Sequence, residues 1–504
     1  MDNEYRLASD SEKGSGFFQM NRSARLFLIV SVLGFTAIAA TAFAQDWKPW
    51  SFVTYDKWVP WEKVSEKQRQ AWNKEYDRQG LYRKSGFVTD RSPEFLVVPE
   101  ALKAIWPEGM EVANEIPAID FAPVRGLDPM YFPEDNKSLW SNWAGVGRAP
   151  NGKFYFAEGD HRAKDSHVYL FEYDPVANTV RRVVDFADLC GWKERGVGDS
   201  KIHGDLDIMP DGTLWILTYW DPDPKPTAEQ YDRWPGSHLV KYDTNTGEAE
   251  DLGVLIPKCG WPEFKLDRRR GIFFAVGFRN EVLSYDVGKR KVNWCGYPPA
   301  GIVWDNRSSL HDPDTGLFWC VEASGGGRLV SFDPATNTFM KYPEQSPFRL
   351  RTYTRKRSAD GSFWATTKGD GRIFKFWPDS RRIELVTNQW QNQGYCPRFA
   401  VSDDGKYIYY MAGIDLQGPG GDYREQPVVQ LNTGTGARKI IAFPTDYYFK
   451  KYGYAMMIPF GMALSADGSR LVINLNGAFK PRVQPLYGNP AVMVVHIPGS
   501  ERAE

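Results

Sequence analysis

The chain has 504 residues, a formal net charge of -1 and 42% hydrophobic residues. The charge balance gives no electrostatic handle for nucleic acid, and the apolar content excludes a disordered chain. Aromatic residues make up 15%, with 46 glycines and 34 prolines, a mix that points to many short strands and turns and so to an all-β class.

Residues 1–44 read as a leader. A polar stretch is followed by basic Met20-Asn-Arg-Ser-Ala-Arg25, an apolar run from Leu26 to Ala44, and a small-residue end, Ala42-Phe43-Ala44. That is the form of a secretory signal cleaved before Gln45. The run is also long enough to anchor the chain in a membrane if it is not cleaved. The expected localisation is therefore periplasmic or secreted, with membrane anchoring through residues 26–44 as the alternative.

Residues 45–142 form a Trp- and Pro-rich extension expected to pack on the main domain. Within it, Trp61 to Gln79 reads as a helix. Ser92 to Glu100, "SPEFLVVPE", reads as a strand able to help close a ring. From residue 143 to 498 one pattern repeats seven times: a turn pair followed by an aromatic-rich strand. The copies are "PNGKFYFAEGDH", "PDGTLWILTYW", "RRGIFFAVGFR", "DTGLFWCVEAS", "ADGSFWATTKG", "DDGKYIYYMAG" and "ADGSRLVINLN". The turn glycines are Gly152, Gly212, Gly271, Gly316, Gly361, Gly405 and Gly468. A third strand ending in an aromatic and an acid follows most copies, as in "LFEYDP" and "LVKYDT", and a short fourth strand comes after it. Four strands per unit and seven units predict a seven-bladed β-propeller. Cys190, Cys259, Cys295, Cys320 and Cys396 form no CxxC or CxxCH pattern, which leaves room for one or two disulfides.

Counting outward from each turn compares the blades. The start of a first strand and the end of a second lie on one face. On that face the count brings together His203, Lys201, Trp143, Glu263, Arg307 or Asn306, Tyr353 or Thr352, Arg355 and Arg398. From the strand exits it adds His161, Tyr219, Trp220, Arg279, Glu322 and Lys368. This reads as a rim with many cations and few acids, suited to an acidic polysaccharide or another anionic small molecule. His238, His311 and His496 take structural readings. The stretch Tyr447 to Met457, "YYFKKYGYAMM", reads as an aromatic loop ahead of the seventh blade. Asp160, His161, Asp165 and His167 offer metal donors without a specific spacing. Glu322, Asn306 and Asn476 offer a weaker calcium set. No cofactor is expected.

The seven-unit repeat and the hairpin "SKIHGDL…DGTLW" resemble the propeller polysaccharide lyases, the ulvan and rhamnosyl-glucuronate lyases, over Trp143 to Pro498. The resemblance implies β-elimination on a uronate chain, carried by a histidine at an inner-strand start, a second histidine, a tyrosine and an arginine. His203 matches the first histidine and Arg279 is the candidate arginine. This chain departs from the pattern where the returning strand reads "LTYW": Tyr219 stands where the second histidine is expected, and His161 is the candidate substitute. The alternative function is a non-catalytic propeller binding a glycan or protein. The propeller fold itself serves many functions and does not choose between them.

Overall fold

Blade three shows the folding rule of the whole ring. Its strands Glu263–Asp267, Ile272–Val276, Val282–Asp286 and Lys291–Gly296 pair in sequence order, each antiparallel to the next. The middle two are apolar and buried, while the outermost alternates exposed and half-buried residues. Blades one, four and five follow the same plan and blades two, six and seven vary it, so the chain is a seven-bladed propeller with few helices. The computed structural model describes residues 86–502, apart from 125–138, 140, 161–166, 222–225, 324–326, 368–370, 391–395, 415–424, 458, 479–482 and 485–488. Val59–Pro60, Ser65 and Lys67 are also described. The leader and most of the expected helix at 61–79 lie outside these residues.

The turn glycines obey the sequence reading. All seven have positive φ, from 66° at Gly271 to 90° at Gly212, a conformation that costs glycine least. Blade two departs from the regular pattern. Its outer three strands, Thr213–Leu217, His238–Asp243 and Ala249–Val254, form a continuous ladder. Its inner segment is not a continuous strand: the bridges Lys201↔Tyr219 and Ile208↔Leu214 tie it to the ladder, and the Asp205 N–H donates to the Phe264 carbonyl of blade three. That segment runs close against blade three: a Cβ on Gly204 would stand 2.4 Å from the Phe264 ring.

Ring closure differs from expectation. Ser92 to Glu100 is not a strand. Pro93–Leu96 is a 3-10 turn capped by the Ser92 hydroxyl, which accepts from the Glu94 N–H. Pro93 and Pro99 lack the N–H groups a sheet ladder needs. Ala118–Pro123 closes the ring instead, pairing antiparallel with Ala491–His496 as the fourth strand of blade seven. The propeller thus takes in residues ahead of Trp143, and its last blade is built from both ends of the chain. Asp120 locks the seam, accepting from the Thr89 hydroxyl at 2.5 Å and facing His496 Nε2 at 2.7 Å. Met110–Val112 adds a parallel edge strand to blade six.

The aromatic loop expected at Tyr447 to Met457 is largely a helix, Pro444–Tyr452, with proline in its first turn and Gly453 at a φ of 69° behind it. Tyr448 and Tyr452 are buried, and Tyr448 packs on Phe121 at 4.6 Å between ring centres. All five cysteines are free; Cys320 is buried within the apolar cluster between blades three and four. Among the described residues no helix is long and apolar enough to cross a membrane.

If Ala118–Pro123 closes the ring, a chain starting at Trp143 exposes the bare edge of Ala491–His496 and is expected to aggregate. A chain starting at residue 86 is expected to melt cooperatively. In the full chain, Phe121→Ala is expected to cost about 3–5 kcal/mol in denaturant unfolding.

Candidate functional site: the central channel

The placement of His203 follows from period-two alternation. Ile202, Leu206 and Ile208 enter the apolar core shared by blades one to three. Lys201, His203, Asp205 and Asp207 alternate with them, and their side chains meet residues from other blades. The same rule holds elsewhere in the ring. Phe264 and Leu266 are core residues, while Glu263 and Lys265 form an ion pair at 2.9 Å. Arg351, Tyr353 and Arg355 alternate along the inner part of blade five.

Asp205 is the hub of this array. It accepts from Lys265 Nζ at 2.7 Å, is bonded by Arg398 Nη1, and lies 3.8 Å from Arg355 Nη2. Burial alone would raise its pKa, but Arg398, Lys265 and Arg355 outweigh that and hold the carboxyl well below the usual range. Arg355 also pairs with Asp207, and Arg398 Nε donates to the Phe460 carbonyl at 2.5 Å. Asp305 pairs with Arg349 at 2.7 Å. Acids are therefore as much a part of this array as cations, contrary to the expected acid-poor rim.

His203 is 2% exposed and lies beyond Asp205 along the inner segment. Arg307 Nη1 is 2.9 Å from its Nε2. A guanidinium has no acceptor, so Nε2 accepts and the ring proton sits on Nδ1, a buried atom with no protein partner. Burial first, then the charges of Arg307, Arg351, Lys201 and Arg398, keeps the imidazole pKa well below its usual value. The ring is neutral at pH 7. Trp143 stacks parallel to it with centres 6.4 Å apart, and Tyr219 meets it edge-on at 6.3 Å. Burial pushes the Tyr219 hydroxyl up to about 12, with Arg307 opposing the rise. Lys201 Nζ lies 4.7 Å over Trp143 and is paired with Asp221 at 2.6 Å.

Of the expected site residues, His203, Tyr219, Lys201 and Trp143 come together, with Arg398 one step away at Asp205. Tyr353 and Arg355 are displaced toward the turn side. There they help line two cavities of about 350 and 320 Å³, and Asp205 lines both. His311, 3.3 Å from Asp267, lines the cavity of about 350 Å³. Arg279 is not at His203: its Nε pairs with Glu281 at 2.7 Å and its Nη2 donates to the Lys258 carbonyl. Trp220 stacks on Trp234 at 4.4 Å in a separate apolar cluster, and Glu322 pairs with Lys341 at 2.8 Å. His161 and Lys368 lie outside the described residues. The counting rule fell one residue short of deciding between Arg307 and Asn306, and Arg351 and Lys265 were not singled out at all. Reading every second residue of each inner strand finds them.

A metal-donor set also emerged that spacing did not reveal. Donor atoms of Cys190, His238 and Asp251 lie within 4.8 Å of one another. Arg195 Nη1 stands 3.4 Å from His238 Nε2, placing a positive charge against that set, and burial raises the Cys190 thiol pKa. His238 keeps its structural reading, with Nδ1 3.0 Å from Asp251.

No family model and no curated protein matches the chain. Among solved structures, one titled "Crystal Structure of Mitotic Checkpoint Complex" aligns over 82% of this chain and 92% of that chain, with a TM-score of 0.44 and 8% identity. A likeness this slight carries no functional argument, and the propeller assignment rests on the sheets themselves.

The buried neutral imidazole has a pH signature. Its folded pKa lies below the unfolded value of about 6.5, so the unfolded chain takes up the proton first. Stability is fully present above that pH and falls as pH drops below it, by up to about 1.4 kcal/mol per pH unit for one proton. The Asp205 contribution persists until pH falls below about 4, the unfolded carboxyl range. Urea unfolding between pH 5 and 8 is expected to show the slope in the native chain. It is expected to be reduced in His203→Gln, which keeps an acceptor for Arg307.

Proposed function

We propose that the channel around His203 binds an anionic sugar ring, a uronate within an acidic polysaccharide, and eliminates across its C4–C5 bond. The observation that carries this reading is the Arg307–His203 pair. Among the described residues no carboxylate lies within ion-pair distance of Arg307, whereas Lys201, Lys265, Arg349, Arg355 and Arg398 each have one. An arriving carboxylate therefore finds one guanidinium whose charge is not already met, beside an imidazole that is neutral.

The chemistry follows from exchanging one hydrogen bond. The uronate carboxylate takes the Arg307 N–H groups, and Nε2 of His203 loses its donor and regains a free lone pair. Neutralising the carboxylate acidifies the C5 proton. Nε2 takes that proton, the C4=C5 double bond forms, and the C4–O bond breaks. The departing oxygen takes a proton from the Tyr219 hydroxyl, which is kept protonated by its high pKa. Trp143 supplies an apolar face for the sugar ring. The step balances without a cofactor. The leader-like residues 20–44 favour an extracellular or periplasmic polysaccharide as substrate.

A second reading, binding without turnover, is favoured by the depth of the pair: His203 is 2% and Tyr219 6% exposed. The experiment that separates the two is ultraviolet absorbance of unsaturated uronates, followed while the chain is incubated with ulvan, pectate, alginate and gellan. A lyase gives a rising signal, and His203→Ala and Arg307→Ala each lower it at least 100-fold, in keeping with loss of general-base or charge-stabilising catalysis. Binding of a uronate polymer with no absorbance rise favours the second reading. No binding and no rise removes both.

A further inference from the structure

Blade one and blade seven meet along a seam whose lower part is apolar. Phe154 and Phe156 of Phe154–Asp160 pack there against Val472 of Arg470–Leu475. Two residues further along each strand the same faces carry Glu158 and Asn474 in place of apolar side chains. Both are 0% exposed. Asn142 joins them, also 0% exposed. Its Nδ2 donates to the Asn474 carbonyl at 3.1 Å, and its N–H donates to Asn476 Oδ1 at 2.8 Å.

The seam is short of donors. Both carboxylate oxygens of Glu158, Oδ1 of Asn474 and Oδ1 of Asn142 are buried with no hydrogen-bond partner. The amide of Asn142 cannot turn to present its nitrogen instead, because that nitrogen is already committed to Asn474. The Asn474 amide faces Glu158, where it opposes the rise in pKa that burial imposes on the acid, and turned over it presents oxygen to the same space. Tyr454, whose hydroxyl pKa is raised by burial and by Glu158, spends its proton on the Asn489 carbonyl at 2.9 Å. Among the described residues no lysine or arginine pairs with Glu158. Burial raises the Glu158 pKa well above the usual carboxylate range, so without a counter-charge the group is driven toward its neutral acid. One proton on Glu158 can be donated to only one of the two asparagine oxygens and leaves the other unmet.

We propose that this seam holds a hard metal cation of the calcium class, coordinated by the Glu158 carboxylate and the side-chain oxygens of Asn474 and Asn142. Carboxylate and amide oxygens are the ligands such ions take. The cation would clamp the first blade to the last, at the junction where the chain's two ends are already interleaved. This site is separate from the His203 channel and does not depend on the proposed reaction.

The test uses the full chain. Metal content is measured by plasma mass spectrometry, and thermal melting is followed in chelator and then with calcium, magnesium, sodium or potassium added singly. Calcium is expected to raise the midpoint by about 2–4 °C over chelator. Glu158→Gln, which mimics a protonated acid in shape, is expected to abolish that rise. A native chain without bound metal, melting identically with every cation and with chelator, overturns the proposal. So does a calcium response that survives in Glu158→Gln. If that variant does not fold, Asn474→Asp decides. A second carboxylate at the site tightens the calcium response if the cation is there, and an unchanged or lost response overturns the proposal.

Discussion

Asp205 is the interaction on which the channel depends. A propeller packs each blade against its neighbours through apolar faces, but around the axis seven inner strands bring polar side chains together in a space that excludes most water. One carboxylate there draws Lys265 of blade three, Arg355 of blade five and Arg398 of blade six onto blade two. Removing one partner from such a buried pair leaves the other charge uncompensated, roughly 3–5 kcal/mol in comparable cases. The network therefore ties four blades together across the ring, which apolar contacts between neighbours do not.

The same network decides what is left over. Cations bound to Asp205, Asp207, Asp221 and Asp305 are not available to a ligand without displacing a protein carboxylate. Arg307 is different: it leans on a neutral imidazole and lies 6.0 Å from the Tyr219 ring centre. A hydrogen bond to a neutral acceptor is weaker than one to a carboxylate. The Arg307–His203 contact is thus the bond in the channel that an incoming anion exchanges at least cost. Trp143 and Phe460, in contact at 4.8 Å, give that position an apolar wall.

Much of the ring was legible because its signals are local. A glycine forced to positive φ at each turn and period-two alternation recur seven times, an acid follows most third strands, and repetition separates these signals from chance. The closing strand was not legible. Ala118–Pro123 carries no turn signal, and its partner Ala491–His496 lies at the far end of the chain. The helix at Pro444–Tyr452 was legible in hindsight, from the proline at its start and Gly453 at its end. At the site, His203, Lys201, Trp143 and Tyr219 were found by counting from a turn. Arg307 was blurred with Asn306 because a one-residue slip in register turns a side chain to the other face. Arg279 and Glu322 stood at the right distance from their turns, but their charges are engaged by Glu281 and Lys341. Pairing of that kind depends on side-chain direction, which distance along a strand does not encode.

Calorimetric titration of the full chain with a uronate oligosaccharide, and with a neutral oligosaccharide of the same length, tests whether Arg307 selects an anionic sugar. The titration is run at two salt concentrations and repeated for Arg307→Ala. The uronate is expected to bind, more weakly at higher salt, the neutral sugar is expected not to bind, and Arg307→Ala is expected to lose uronate binding while remaining folded. Equal binding of the two sugars, or undiminished uronate binding by Arg307→Ala, would contradict selection of the anion by Arg307.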